Sequence, residues 1–464
     1  ENGVGVAGGG AGTFIDGGLG NNTLDYTAYT TDVFVNLTTN TATGVNAGLP
    51  GGIDRIQNVL GGTSFNEIWG DEFDNILESG STNDILHGLA GNDTYVFYDD
   101  WGTDYVYDTS GNDTLVFHTS YGVTFTFAAG SATVTDAFGN IVTTDGNVEN
   151  FTGSEFDDNF IFQAGGSILG TFDGRGGYDT VNLSAVTSAI QVTLTGLGSV
   201  DGFNGTIASR GSFANVNQMT ASALNGDSLT GRNADAEFIL GAADQYVSVN
   251  TFDFSNFEIL NGGTAADIFR IQTSHTNTLN GGAGDDRFIL SAGAVLTGAI
   301  NGGAGNDAVD FSALAARTVS LTGIGSVDGF NGSDTAITGG FSNINQLEGT
   351  VGTDTLVGAN LAATFELDGT DRYIVGSNTL SFSSFENLTG GSAVDTFAFN
   401  GTYNFTGTLN GAGGTDWLDY TAYGAAVHYN QQTGVITGLT GTFSAIEGLR
   451  GSASTSDLIT GADT

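Results

Sequence analysis

Phe213-Ala-Asn-Val-Asn-Gln-Met219 returns 41 residues later as Phe254-Ser-Asn-Phe-Glu-Ile-Leu260. The pattern is an apolar residue, a second apolar residue three places on, then Glu, Gln or Asn, then an aliphatic residue. It recurs as Ile53-Asp-Arg-Ile-Gln-Asn-Val59, Gly146-Asn-Val-Glu-Asn-Phe151, Phe341-Ser-Asn-Ile-Asn-Gln-Leu347, Phe382-Ser-Ser-Phe-Glu-Asn-Leu388 and Phe443-Ser-Ala-Ile-Glu-Gly-Leu449. The intervals 41, 41 and 61 read as two, two and three steps of a stacked repeat, each step about 20 residues long. Intervals of 93, 67 and 87 fit less cleanly, so coil length varies.

A longer echo sits above this one. Leu194-Thr-Gly-Leu-Gly-Ser-Val-Asp-Gly-Phe-Asn-Gly205 reappears as Leu321-Thr-Gly-Ile-Gly-Ser-Val-Asp-Gly-Phe-Asn-Gly332, and Leu24-Asp-Tyr-Thr-Ala-Tyr29 as Leu418-Asp-Tyr-Thr-Ala-Tyr423. Between the echoes lie short apolar bursts closed by Gly, Asn and Asp, such as Thr94-Tyr-Val-Phe97, Thr114-Leu-Val-Phe117 and Arg287-Phe-Ile-Leu290. Bursts of this length, rich in β-branched and aromatic residues, read as strands. Helical periodicity is nearly absent; Phe311-Ser-Ala-Leu-Ala-Ala-Arg317 is the best candidate, at two turns.

Short strands on a roughly 20-residue period predict an all-β fold, a parallel β-solenoid whose coils stack rung on rung. Residues 1–464 are expected to form one continuous array, with 174–300 and 301–420 as related larger repeats. The single proline, Pro50, agrees, because every rung needs its N–H groups for the neighbouring coils. A set of immunoglobulin-like sandwiches is the rival fold, but the nested 41-residue echo favours stacking.

Charge narrows the partners. Acidic residues outnumber basic ones 51 to 9, for a net charge of −42, and all nine basic residues are Arg. Such a surface repels nucleic-acid phosphates and anionic lipid and favours cations. Lysine chemistry is absent, and the lack of Cys excludes disulfides and thiolate metal sites. No apolar run reaches the length of a membrane-spanning helix. The chain begins at Glu1 without a signal-peptide pattern, which suggests a processed product or a segment of something longer.

Gly281-Gly-Ala-Gly-Asp-Asp-Arg-Phe-Ile289 and Gly302-Gly-Ala-Gly-Asn-Asp-Ala-Val-Asp310 fit the nonapeptide G-G-x-G-x-D-x-U-x. Weaker versions begin at Gly88, Gly174 and Gly411. On these motifs the chain resembles the hemolysin-type (RTX) calcium-binding repeats and, more loosely, the giant β-helical surface proteins of bacteria. The resemblance implies Ca²⁺ held by turn carbonyls and Asp carboxylates, hard oxygens of the kind Ca²⁺ prefers.

The stretch 61–117 comes nearest to the tandem spacing that the family uses. The expected metal ligands are therefore Asn66, Asp71, Asp74, Asp84, Asp93 and Asp113, with Asp286 and Asp307 in the two best nonapeptides. The competing reading is that each Asp or Asn only caps its own turn.

Signals for catalysis are sparse. His87, His118, His275 and His428 are scattered singly, and no phosphate-binding loop or nucleophile elbow occurs in the sequence. Candidates for the paired-carboxylate chemistry of a carbohydrate-active β-helix enzyme could be drawn from the acidic pairs Asp99-Asp100, Asp157-Asp158 and Asp285-Asp286.

The expectation is a non-enzymatic structural or adhesive protein, secreted to a bacterial surface or matrix and stabilised by Ca²⁺. Its partners would be further copies of itself, stacked head to tail, and cell-surface or matrix polysaccharide. Ser456-Asp-Leu-Ile-Thr-Gly-Ala-Asp-Thr464 stops in mid-motif, and Thr13-Phe-Ile-Asp-Gly17 offers a continuation.

Overall fold

A computed structural model describes residues 3–5 and 13–461. The last three residues of the 456–464 run lie outside this range. Among the described residues the chain is all-β, a parallel-dominated β-solenoid. No α-helix occurs among them; Asn46–Gly48 forms one 3-10 turn. Phe311 to Arg317 is a turn rather than a helix, following the strand Ala308–Asp310. Its apolar residues fall at the end of a rung, where Phe311 enters the core at 0% exposure.

By its internal contacts the chain forms two compact units. One comprises 1–228 with 249–257, the other 229–248 with 258–464.

In the first unit each plain coil gives one strand to each of two sheets. Asn66–Trp69, Ile85–His87 and Thr103–Tyr107 stack in parallel in one sheet. Asn58–Leu60, Ile76–Glu78, Thr94–Phe97 and Thr114–Phe117 stack in the other. The register places Ile68, Leu86 and Val106 in one column and Val59, Leu77, Tyr95 and Leu115 in another. All seven are 0% exposed. The columns meet between the sheets, where the Phe117 and Phe125 rings lie 5.5 Å apart and those of Phe160 and Phe172 4.6 Å. Period-two alternation in each burst is what puts its apolar set into this shared core.

The coils are not uniform. Thr124–Ala128 skips two places along its sheet; the antiparallel Ser131–Thr135 and then Ile141–Thr144 fill back beside Thr103–Tyr107. The next coil then stacks Asn159–Phe162 on Thr124–Ala128. Gln191–Leu197, Phe203–Ile207 and Gly211–Val216 repeat this excursion in the other sheet.

The second unit has the same device twice. Thr318–Ile324, Phe330–Asp334 and Ile337–Ile344 return to Ile300–Ala304. Ala363–Leu367, Arg372–Val375 and Asn378–Ser383 return to Gln346–Glu348. These meanders lengthen the step between coils and break the simple repeat. The long echo 194–205 and 321–332 is the same bulged hairpin, once in each unit.

The seven-residue motif turns out to be a corner. In Phe213 to Met219 the chain leaves one sheet and enters the other, where Met219 is the register partner of Phe254. The copies 41 residues apart therefore meet last residue to first, not like on like. The motif's third residue takes the left-handed backbone at Arg55, Asn215, Asn256, Asn343, Ser384 and Ala445 (φ 49 to 63°).

Candidate metal centre

At the corners, acidic side chains bind backbone. The N–H of Asn66 donates to Asp84 Oδ1 (2.6 Å), and that of Asp84 to Asp104 Oδ1 (2.7 Å). A second ladder runs from Asn75 to Asp93 to Asp113, with 2.7 Å at each step. Others join Asp158 to Asp179 in the first unit and, in the second, Asp267 to Asp286 to Asp307 and Asp395 to Asp416. Successive members are 18 to 21 residues apart, one plain coil.

The Glu, Gln or Asn of the corner motif ends a ladder. Gln57, Glu149, Asn217, Asn345, Glu386 and Glu447 accept the N–H of Asn22, Asp113, Asp179, Asp307, Asp354 and Asp416. The two features that stood apart in the sequence, acidic turn and Phe-x-Asn-x-Glu motif, are thus parts of one hydrogen-bonded column.

Glycine five residues before the Asp makes room for the carboxylate. A Cβ on Gly281 would lie 2.1 Å from Asp286 Oδ2, one on Gly174 2.2 Å from Asp179 Oδ2, and one on Gly302 2.5 Å from Asp307 Oδ2. The first Gly and the Asp of each nonapeptide are coupled by this contact.

The ladder leaves a buried acidic inventory. Asp84, Asp93, Asp104, Asp113, Asp179, Asp286 and Asp307 are at most 1% exposed, and Oδ2 of each lacks a hydrogen-bond partner. Burial pushes their carboxyls upward, Asp84 and Asp179 to about 8, Asp93, Asp113 and Asp286 to about 7, Asp104 to about 9 and Asp307 to about 6. Neighbouring carboxylates add to the rise at most of these sites, for instance Asp307 beside Asp286.

The eight residues expected as ligands do not share one site. Asn66 and Asp84 belong to the first ladder, Asp93 and Asp113 to the second, and Asp286 and Asp307 to a ladder of the other unit. Asp74 stands one residue before the corner position, which Asn75 holds; its Oδ1 accepts the N–H of Asn92. Asp71 Oδ1 caps its own turn through Phe73 N–H, beside a surface cleft of about 650 Å³ that Arg55 and Glu72 also line.

One group brings three carboxylates together. Oxygens of Asp93, Asp108 and Asp113, all buried, lie within 4.8 Å of one another. Asp108 was not singled out in the sequence. Its signal is position: it stands five residues before Asp113, where the corners at Asp93, Asp179 and Asp286 carry Gly88, Gly174 and Gly281 and those at Asp84 and Asp104 carry Ser79 and Asp99.

In the second unit a cleft of about 350 Å³ is lined by Arg287, Asp310, Glu348 and Asp371. Arg287 bridges Asp310 and Glu348 at 2.7 Å each. Hydrogen bonds from Ser312 and Arg287 outweigh burial at Asp310 and hold its carboxyl low, whereas burial pushes Asp371 up. Asp157 and Asp285 accept the N–H of Tyr178 and Asn306 one coil on, so each outer member of those acidic pairs also serves stacking.

No protein-family model and no curated protein matches the chain.

Proposed function

We propose that the chain is a non-catalytic structural solenoid that works outside the cell, is stabilised by calcium, and adds to further copies of itself head to tail. The carrying observation is the use to which the acids are put. Asp84, Asp93, Asp158, Asp179, Asp286 and Asp307 all spend a carboxylate oxygen on the backbone of an adjacent coil. Their charge is the cost of this arrangement, and a calcium-rich extracellular medium supplies the counterion that hard oxygens prefer. The resemblance to hemolysin-type repeats supports the same setting. Head-to-tail addition is supported by the parallel stacking itself, in which the strand edges of each coil pair with those of the next.

Electron microscopy of the purified chain at millimolar calcium tests the reading. Filaments that lengthen with protein concentration are expected; monodisperse single particles at every concentration would refute self-addition.

The cleft at Arg287 favours a second reading, a carbohydrate-active site, because Asp310 and Asp371 have carboxyls driven in opposite directions. New reducing ends released from neutral or acidic polysaccharides, and lost in Asp371→Asn, would establish it.

A further inference from the structure

The corner before Asp113 departs from the glycine-bearing corners at Asp93, Asp179 and Asp286 in a way that builds a site. Asp108 replaces the glycine, and its carboxylate occupies the inside of the coil at 2% exposure. Oδ1 accepts the N–H of Ser110 at 3.0 Å, and Oδ2 accepts the Tyr95 hydroxyl at 2.5 Å. Asp93 and Asp113, at 1% and 0% exposure, each present an Oδ2 without a partner. On the adjacent coil, a Cβ at Gly88 would meet Tyr95 OH, Asp93 Oδ2 and Asp108 Oδ2 at 2.1 to 2.4 Å, so these oxygens converge on one point of the backbone.

The charges that act on the cluster from outside are also negative: Asp74 on Asp93, Asp145 on Asp108 and Glu149 on Asp113. Three carboxylates this close in a low-dielectric interior are not sustained without a counter-charge.

We propose that Asp93, Asp108 and Asp113 hold one hard divalent cation, calcium in the protein's working medium, through the free Oδ2 atoms of Asp93 and Asp113 and a carboxylate oxygen of Asp108. The inference rests on the calcium-stabilised reading and assigns it a place. It does not follow from the nonapeptide itself, which has glycine where the third carboxylate stands. Oxygen-only ligands of high negative charge select calcium or a similar hard ion over softer metals.

The test uses the whole chain, stripped with chelator and titrated with CaCl2 by calorimetry. Tb³⁺ serves as a luminescent probe excited through nearby aromatic side chains. Asp108→Gly returns the corner to the repeat's own residue and keeps the fold; Asp108→Asn keeps the shape and removes the charge. The wild type is expected to bind one equivalent more than either variant, to gain melting temperature with calcium, and to sensitise Tb³⁺ emission that both variants lose. If calcium binds and stabilises wild type and Asp108→Gly alike, this site is refuted and the calcium-stabilised reading stands. If the wild type takes up no calcium and its melting curve is unmoved, both fall, and the three carboxyls are neutralised by protons instead.

Discussion

The backbone N–H of Asp286 donates to Oδ1 of Asp307, 21 residues further along the chain, at 2.9 Å. One coil is thereby tied to the next by a side chain that satisfies a corner donor the sheets leave free. Buried N–H groups need an acceptor, and here the side chain supplies it while the Asp286 carbonyl accepts the N–H of Ala308. Aspartate is short enough to reach back from the adjacent coil, and its glycine partner five residues earlier clears the space.

That coupling makes Gly281→Ala costly. The added carbon would sit 2.1 Å from Asp286 Oδ2 and 2.5 Å from the Gly302 carbonyl oxygen. Overpacking of this kind costs about 2 kcal/mol, and displacement of Asp286 would also weaken its hold on Asp267 N–H. Gly323→Ala in the same unit meets nothing within 4 Å and should leave stability unchanged. Urea unfolding of the two variants makes the comparison; equal midpoints would show that the Gly–Asp contact is not what the glycine is for.

The sequence carried the fold through its bursts and echoes, because alternation and turn chemistry are local. Thr94–Phe97, Thr114–Phe117 and Arg287–Leu290 are strands as read. The meanders were not legible: Thr124–Ala128 and Ser131–Thr135 alternate like any rung, and only the register shows that they pair antiparallel. The ladders were half legible. A nonapeptide marks Asp286 and Asp307, but that Asn345 ends their column is a relation across 38 residues that spacing alone hides. Asp108 is hidden in the sequence because it sits where a glycine is the informative residue of the nonapeptide.

The corner motif makes its own prediction. Glu386 Oε2 accepts the N–H of Asp354 at 2.8 Å. Gln57 does the same work for Asn22, so Glu386→Gln keeps the acceptor and should change stability by less than about 0.5 kcal/mol. Glu386→Ala orphans a buried N–H and should cost about 1–3 kcal/mol. Denaturant midpoints that rank the two variants equally would mean the motif acid acts through its charge rather than as an acceptor.

Core stacking adds a second source of cohesion. The Phe269 ring lies between Phe238 at 4.8 Å and Phe288 at 4.9 Å, with interplanar angles of 1° and 13°. Phe269→Ala removes contacts on both faces and is expected to cost about 3–5 kcal/mol. Phe138, 69% exposed, gives the contrast: its replacement by Ala should move the unfolding midpoint little. A Phe269→Ala loss no larger than that of Phe138→Ala would contradict the stacked core.

The buried ladders also set how stability follows pH. Burial raises the carboxyls of Asp158 to about 7 and Asp179 to about 8; in the unfolded chain they return to about 4. The folded state therefore binds protons more tightly than the unfolded one. Its contribution from these groups is complete below pH 4 and is lost as pH rises through about 7 and 8. Without divalent ions the melting temperature should fall between pH 5 and pH 9. General repulsion within a chain of net charge −42 acts in the same direction, so the slope alone is not decisive. Asp179→Asn isolates the ladder, since it removes only one of 51 acids and Asn already occupies ladder positions at Asn66, Asn75 and Asn217. Its Oδ1 keeps the bond that Asp158 N–H makes to Asp179. The variant should match the wild type below pH 4, gain on it as pH rises from about 4 to about 8, and keep that lead at pH 9; parallel curves would show that Asp179 ionises in the fold as freely as in water.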